Sequence, residues 1–255
     1  MLPMTPMELL GIAILGTTSG LMIGCIGIGG VILVPALVFL GGISIKIGIP
    51  AAMFAFILSG LVASFVFARN KSIHWGMAAW LCAGATPTAF AGAWAVSVVS
   101  PRVLEAALGL LTFLSGINAL RTRHINELGC HTETNIKLLG VGAVTGFLSS
   151  VSGTGGPVVL VQILIAMKLP VLTAVGLSQT IQLPVAIAAT SGNVIYGELD
   201  FALAGILAAT LTVGSWYGAK LAHTLPLAAL RQIVSVALVG IGLFILGNLA
   251  LRLLR

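Results

Sequence analysis

Polar positions are sparse along this chain and come in short groups between long apolar runs. Continuous apolar runs of about 18–25 residues suit membrane-spanning helices. The first runs from Met7 to Gly24 and meets a glycine cluster at Gly27, Gly29 and Gly30. A short apolar piece follows, Val31 to Leu40, then a polar break that ends at Lys46. Further spans are predicted from Pro50 to Ala68, from Trp75 to Val99 and from Pro101 to Leu120. Ser100-Pro101 is a helix-start signal, because proline is tolerated at the first helical position. Arg121 to Lys137 is the longest polar stretch. From Leu138 the order restarts: an apolar lead, a second glycine cluster, a short piece to Met167, and a break at Lys168 to Pro170. Spans from Thr173 to Ile195, Phe201 to Leu221 and Leu227 to Leu251 complete the chain.

The restart is a repeat. Gly27, Gly29 and Gly30 fall on Gly153, Gly155 and Gly156, 126 residues later; at the same shift Ile73 to Trp75 fall on Leu199 to Phe201, and Gly92 on Gly218. Pro101 and Pro226 match with a slip of one residue. A match this extended indicates duplication of one unit. It divides the chain into a first transmembrane repeat (1–121), a cytoplasmic linker (122–137) and a second transmembrane repeat (138–255). The fold class is all-α integral membrane, with about eight transmembrane helices and a glycine-rich helix break in each half. Four crossings per half would make the halves parallel. If the short pieces after the glycines also cross, there are ten segments and the halves are inverted.

Composition agrees. The chain is 58% hydrophobic and 7% charged, with mean hydropathy +1.16, against about 25% charged in soluble domains. A closed β-barrel would alternate apolar and polar residues. The net charge of +6 comes from basic residues lying between the apolar runs. They are therefore topology signals, and Arg69, Lys71 and the 121–137 stretch mark the cytoplasmic face. No basic stripe interleaved with aromatics points to nucleic acid. Cys25, Cys82 and Cys130 form no disulfide framework or metal pattern. Met1 to Leu10 contains no Lys or Arg, unlike a cleavable signal peptide.

Three glycines in four residues break a helix. Irregular backbone at membrane depth survives only against protein or a water-filled cavity. Breaks at matching places in two halves point to a transporter's binding site. A helix restarting after the break presents free N–H groups and about half a positive charge to an anion. Pro157 suits the first turn of such a helix, and Ser152 and Thr154 could cap it or donate to an anion oxygen. Ser178, Gln179 and Gln182 share a face of one span, near Pro184. The candidate substrate-binding set is Gly27, Gly29, Gly30, Ser149, Ser152, Gly153, Thr154, Gly155, Gly156, Pro157, Ser178, Gln179 and Gln182. Gln162 is a weaker candidate. Glu105 and Arg231 hold equivalent repeat positions with opposite charge and are read as a gate or ion pair, or as boundary residues.

The second half is the polar one. Ser149, Ser152, Thr154, Ser178, Gln179, Thr180 and Gln182 fall on Ile23, Ile26, Ile28, Ala52, Met53, Phe54 and Phe56. An asymmetric site follows: side chains from the second half, backbone N–H groups from the first. The competing reading gives the glycines and amides to helix packing alone. No Lys-Ser/Thr follows the glycines, so they are not a nucleotide loop. The four histidines lie at span ends or in the linker, and no nucleophile–base or metal constellation is present; an enzyme is not expected.

The doubled Gly-x-Gly-Gly, the short apolar stretch to Pro35 and its echo at Gly153 to Val161 resemble the TauE/SafE sulfite exporter family, also called the 4-toluene sulfonate uptake permeases. The resemblance covers nearly the whole chain. It departs at Val31 and Pro157, where the family often has a third glycine, and at Val161, where it has proline. The resemblance implies a multi-pass carrier of the bacterial inner membrane that moves sulfite, a sulfonate or another organosulfur anion by secondary transport. It implies a small anionic substrate and the lipid bilayer as partners, no cofactor, no metal and no nucleic acid; assembly into a homo-oligomer is left open. The alternative is a non-transporting membrane scaffold or assembly factor.

Overall fold

A computed structural model describes residues 6–27, 29–121, 135–167, 169–224 and 227–253. The described residues form helices joined by short turns. In the first half these are α1 (Pro6–Ile26), α2 (Gly30–Phe39), α3 (Ile45–Arg69), α4 (Trp75–Val98) and α5 (Pro101–Arg121). In the second they are α6 (Asn135–Ser152), α7 (Pro157–Ala166), α8 (Val171–Tyr196), α9 (Phe201–Leu221) and α10 (Leu227–Leu253). Helices α8, α9 and α10 each begin 126 residues after α3, α4 and α5. Most of the 122–137 linker lies outside the described residues.

Two helices differ from the rest. α2 and α7 have 10 residues each, about 15 Å at 1.5 Å per residue. That is half the thickness of a hydrocarbon core. Among the described residues, five stretches are long and apolar enough to cross a membrane: Leu9–Ile26, Ile45–Arg69, Trp75–Val98, Leu172–Tyr196 and Phe201–Leu221.

Close contacts give the directions. Ser64 Oγ donates to the Gln179 carbonyl (2.8 Å) and Gln182 Nε2 to Ser59 Oγ (3.1 Å), so α3 and α8 run antiparallel. Gly109 faces Ile245 while Gly242 faces Phe113, so α5 and α10 are antiparallel too. In contrast Gly16, Gly20 and Gly24 of α1 face Thr210, Leu211 and Ser215 of α9, in parallel register. Likewise Gly142 and Gly146 of α6 face Leu81 and Ala85 of α4. Lys46 Nζ donates to the Ser97 carbonyl (3.1 Å), closing α3 and α4 as a hairpin. It follows that α1 and α3 point one way and α6 and α8 the other. Each five-helix run is upside down relative to its counterpart. The expectation of parallel halves gives way to inverted ones, because α2 and α7, at half the thickness of a hydrocarbon core, turn the chain back without the full crossing that the ten-segment alternative assumed. Gly29 lies against the Ser19 carbonyl and Ile23, a full ten residues back along α1.

Local chemistry explains the ends. Asp200 caps α9, accepting from the N–H groups of Ala202 (2.9 Å) and Leu203 (3.2 Å). The helix pairs α1–α9 and α4–α6 meet through glycines, since small residues let backbones approach where no hydrophobic force drives helices together. Phe56, Phe67 and Leu81 are fully buried, whereas Trp75, Trp80, Trp94 and Tyr217 face outward.

Candidate functional site

Both helix breaks are made by glycines with positive φ, a region that costs other residues about 1–2 kcal/mol. Gly27 (φ 75°) follows α1, and its repeat mate Gly153 (φ 68°) follows α6. Gly155 (φ 77°) and Gly156 (φ 106°) complete the second turn before Pro157 opens α7. Proline is free there because the first N–H has no ladder partner.

The two breaks meet. Gly30 lies against the Thr154 carbonyl and the tip of the Phe56 ring, and Gly155 against one side of the same ring. Gly27 faces Pro157, Val161 and Ser178 Oγ, whereas Gly153 faces Val34 and Ile49. α2 and α7 therefore start from one place beside the middle of α3 and run apart toward opposite ends of the bundle. The N-cap residues are Gly29 and Gly156, and neither helix start has a side-chain cap. The α7 ladder begins with Leu160 N–H on the Gly156 carbonyl (3.3 Å), which leaves earlier N–H groups at the terminus unused by the helix. Each terminus carries about +0.5 elementary charge.

Ser152 and Thr154 do not cap α7. Ser152 Oγ donates to the Leu148 carbonyl one turn back (2.7 Å) and lies 3.0 Å from Thr154 Oγ1. Ser178 Oγ donates to the Val175 carbonyl (2.8 Å) and Thr180 Oγ1 to the Gly176 carbonyl (2.9 Å). These hydroxyls use acceptors of their own helices. Three others differ: Ser149 Oγ, Gln179 Oε1 and Gln182 Oε1 are buried with no hydrogen-bond partner. All three residues are 0% exposed. Gln179 Nε2 donates to the Ile23 carbonyl, one turn before the first break. Ser149 Oγ and the Gln182 backbone both flank Gly156. An unpaired buried polar group costs about 1–3 kcal/mol, so these three are candidates to meet a polar ligand.

Sequence reasoning missed a continuation of this set. Thr190 Oγ1 and both amide atoms of Asn193 are also buried without partners. With Gln179 and Gln182 they recur every three to eight residues along α8, a helical periodicity that was available in the sequence. The helix directions separate the Glu105–Arg231 pair. With α5 and α10 antiparallel and Gly109 level with Ile245, residues 105 and 231 lie about 27 Å apart along the axis at 1.5 Å per residue. The Arg231 side chain is outside the described ones. Cys25 donates to the Gly218 carbonyl (3.1 Å), holding α1 to α9. Among the described residues no cluster of His, Cys, Asp or Glu could hold a metal.

Long apolar helices, outward tryptophans and half-length helices turned inward define a multi-pass membrane protein. The chain belongs to the sulfite exporter TauE/SafE family, which it matches over residues 12–245, and this places it among membrane transporters. It is similar to the probable membrane transporter protein MJ0441 of Methanocaldococcus jannaschii, 26% identical over 250 residues, spanning 91% of this chain and 93% of that protein. It is also similar to the probable membrane transporter protein YdhB of Bacillus subtilis, 27% identical over 238 residues, 89% of this chain and 96% of that protein. No solved structure matches it.

Proposed function

We propose that this protein is a secondary transporter of a small anion, sulfite or an organosulfonate, built from inverted repeats that arose by duplication. One observation carries the reading: two half-length helices direct their N-termini at a junction where Ser149, Gln179 and Gln182 hold unpartnered buried atoms. Helix termini bind anions without a cationic side chain. The sulfur chemistry rests on the family. The junction is sealed, with Thr154 3% exposed and Gln179 0%, so access requires one repeat to rock against the other. Packing alone accounts for Gly20 or Gly146, which touch neighbouring backbone, but not for the positive φ of Gly27, Gly153, Gly155 and Gly156. That contrast favours a carrier over a scaffold. The purified protein in proteoliposomes should accumulate labelled sulfite or a sulfonate down an imposed gradient, and a panel of sulfur oxyanions with no flux above empty liposomes would sink the reading.

Orientation follows from charge. Among the described residues, Arg69, Lys71, Arg121, Lys137 and Lys220 fall at one end of the bundle. The positive-inside rule makes that end cytoplasmic. The start of α1 and the end of α10 then lie outside. In a variant lacking Cys25 and Cys82, Cys130, which is outside the described residues, should resist an impermeant maleimide on intact cells. Rapid labelling there would reverse the orientation.

A further inference from the structure

The junction offers one acceptor that cannot turn into a donor. Gln179 Nε2 donates to the Ile23 carbonyl, which only accepts. Turning the amide over would set two oxygens against each other, so Oε1 must be the atom presented, and it has no partner. Gln182 is different. Its Nε2 meets Ser59 Oγ (3.1 Å), and a hydroxyl accepts either end of an amide. Gln182 can therefore offer oxygen or N–H as the ligand requires. Ser149 Oγ is free to donate.

Charge gives an independent constraint. Two helix termini at about +0.5 each balance one negative charge, not two. The elements around Gln179 bring nothing titratable to face it. α2 and α7 contain no charged or titratable residue. On α1, Cys25 is turned to the Gly218 carbonyl, and Glu8 stands in the first turn, more than three turns from Ile23. On α3, Lys46 is held by the Ser97 carbonyl and Arg69 lies over the Phe65 ring. On α4 the titratable group within the helix is Cys82, and α4 meets α8 at Gly192, well beyond Gln179. On α6 it is Lys137, in the first turn and twelve residues before Ser149. On α8 itself the one titratable residue is Tyr196, at the far end.

Building on the transporter reading, we propose that the site takes its oxyanion as a hydrogen-bearing monoanion, hydrogensulfite rather than sulfite, with the ligand O–H donating to Gln179 Oε1. The helix termini and Ser149 hold the unprotonated oxygens. Each anion then carries a proton with it. Proton-linked movement of total sulfite needs no carboxylate in the bundle, because the proton travels on the substrate.

The test is sulfite uptake by proteoliposomes of the full-length protein, with inner and outer pH matched, at several pH values spanning the second ionisation of sulfurous acid. The KM for total sulfite should rise about tenfold per pH unit on the alkaline side, as the protonated fraction falls, while the KM expressed as hydrogensulfite stays constant. Methanesulfonate, a monoanion without an O–H, should compete at least about tenfold more weakly, because it leaves the buried acceptor unpaired. Gln179→Met should raise the hydrogensulfite KM and narrow that discrimination. The wild-type series stands if this variant fails to fold. Flux with a KM for total sulfite that is flat or falls with pH, or equal competition by methanesulfonate, overturns this inference and leaves the transporter. Absence of flux for every sulfur oxyanion overturns both.

Discussion

Gly20→Ala and Gly146→Ala are each expected to lower the thermal stability of the purified protein by about 5 °C or more, while Gly11→Ala and Gly205→Ala leave it unchanged. A methyl group on Gly20 would collide with the Leu211 carbonyl, and one on Gly146 with the Ala85 carbonyl. These are backbone atoms of a neighbouring helix, so no rotamer change relieves the clash. The helices must separate, forfeiting close packing along α1–α9 or α4–α6. Overpacking costs about 1–3 kcal/mol and sometimes more, and for a chain of this size each kcal/mol is worth about 2–4 °C. Gly11 and Gly205 have open space where a Cβ would stand, and alanine is the better helix former. Size-exclusion chromatography after heating reads the difference. Equal stability of all four variants would mean that these glycines do not set the helix spacing.

Gly20 and Gly146 are repeat mates, and so are the surfaces they meet, Leu211 and Ala85. That equivalence shows how far the sequence could be read. The shift of 126 identified matching segments, and the clustered glycines identified both breaks. Pro157 marked the start of α7. What a linear pattern could not carry was direction. A ten-residue apolar piece has the same composition whether it crosses, continues or folds back, and that choice decides whether the halves are parallel or inverted. The contact between Gly29 and Ser19 resolves it for α2. Repeat equivalence likewise could not place Glu105 beside Arg231, since it implies proximity only when the symmetry axis runs between the two positions. Hydrogen-bond state was also illegible. Ser152, Ser178 and Thr180 looked as available as Ser149, yet their hydroxyls reach carbonyls of their own helices.

That distinction sharpens the asymmetry between halves into a result expected from mutation. Ser149→Ala should reduce transport at least about tenfold, the scale of one lost hydrogen bond to a charged group, while the melting temperature stays level or rises. Removing a buried hydroxyl that has no partner relieves a desolvation cost of about 1–3 kcal/mol in the empty protein. A packing residue would behave the other way, losing stability first and function only as a consequence. Gln179→Leu should likewise weaken transport at low anion concentration by at least about tenfold with folding retained, since both the unpaired Oε1 and the bond to the Ile23 carbonyl disappear together. Ser178→Ala and Thr180→Ala remove hydroxyls already satisfied within α8, and their effect on transport should be severalfold smaller. In the first half, Met53→Leu at the position equivalent to Gln179 is a volume-conserving change in a fully buried site and should cost under about 1.5 kcal/mol of stability with transport near wild type. Paired measurement of flux and melting temperature on these variants separates the cases. If Ser149→Ala lost stability and flux in proportion, or if Met53→Leu were as damaging to flux as Gln179→Leu, the second half would have no special hold on the anion, and its polar side chains would belong to the packing of α6 and α8.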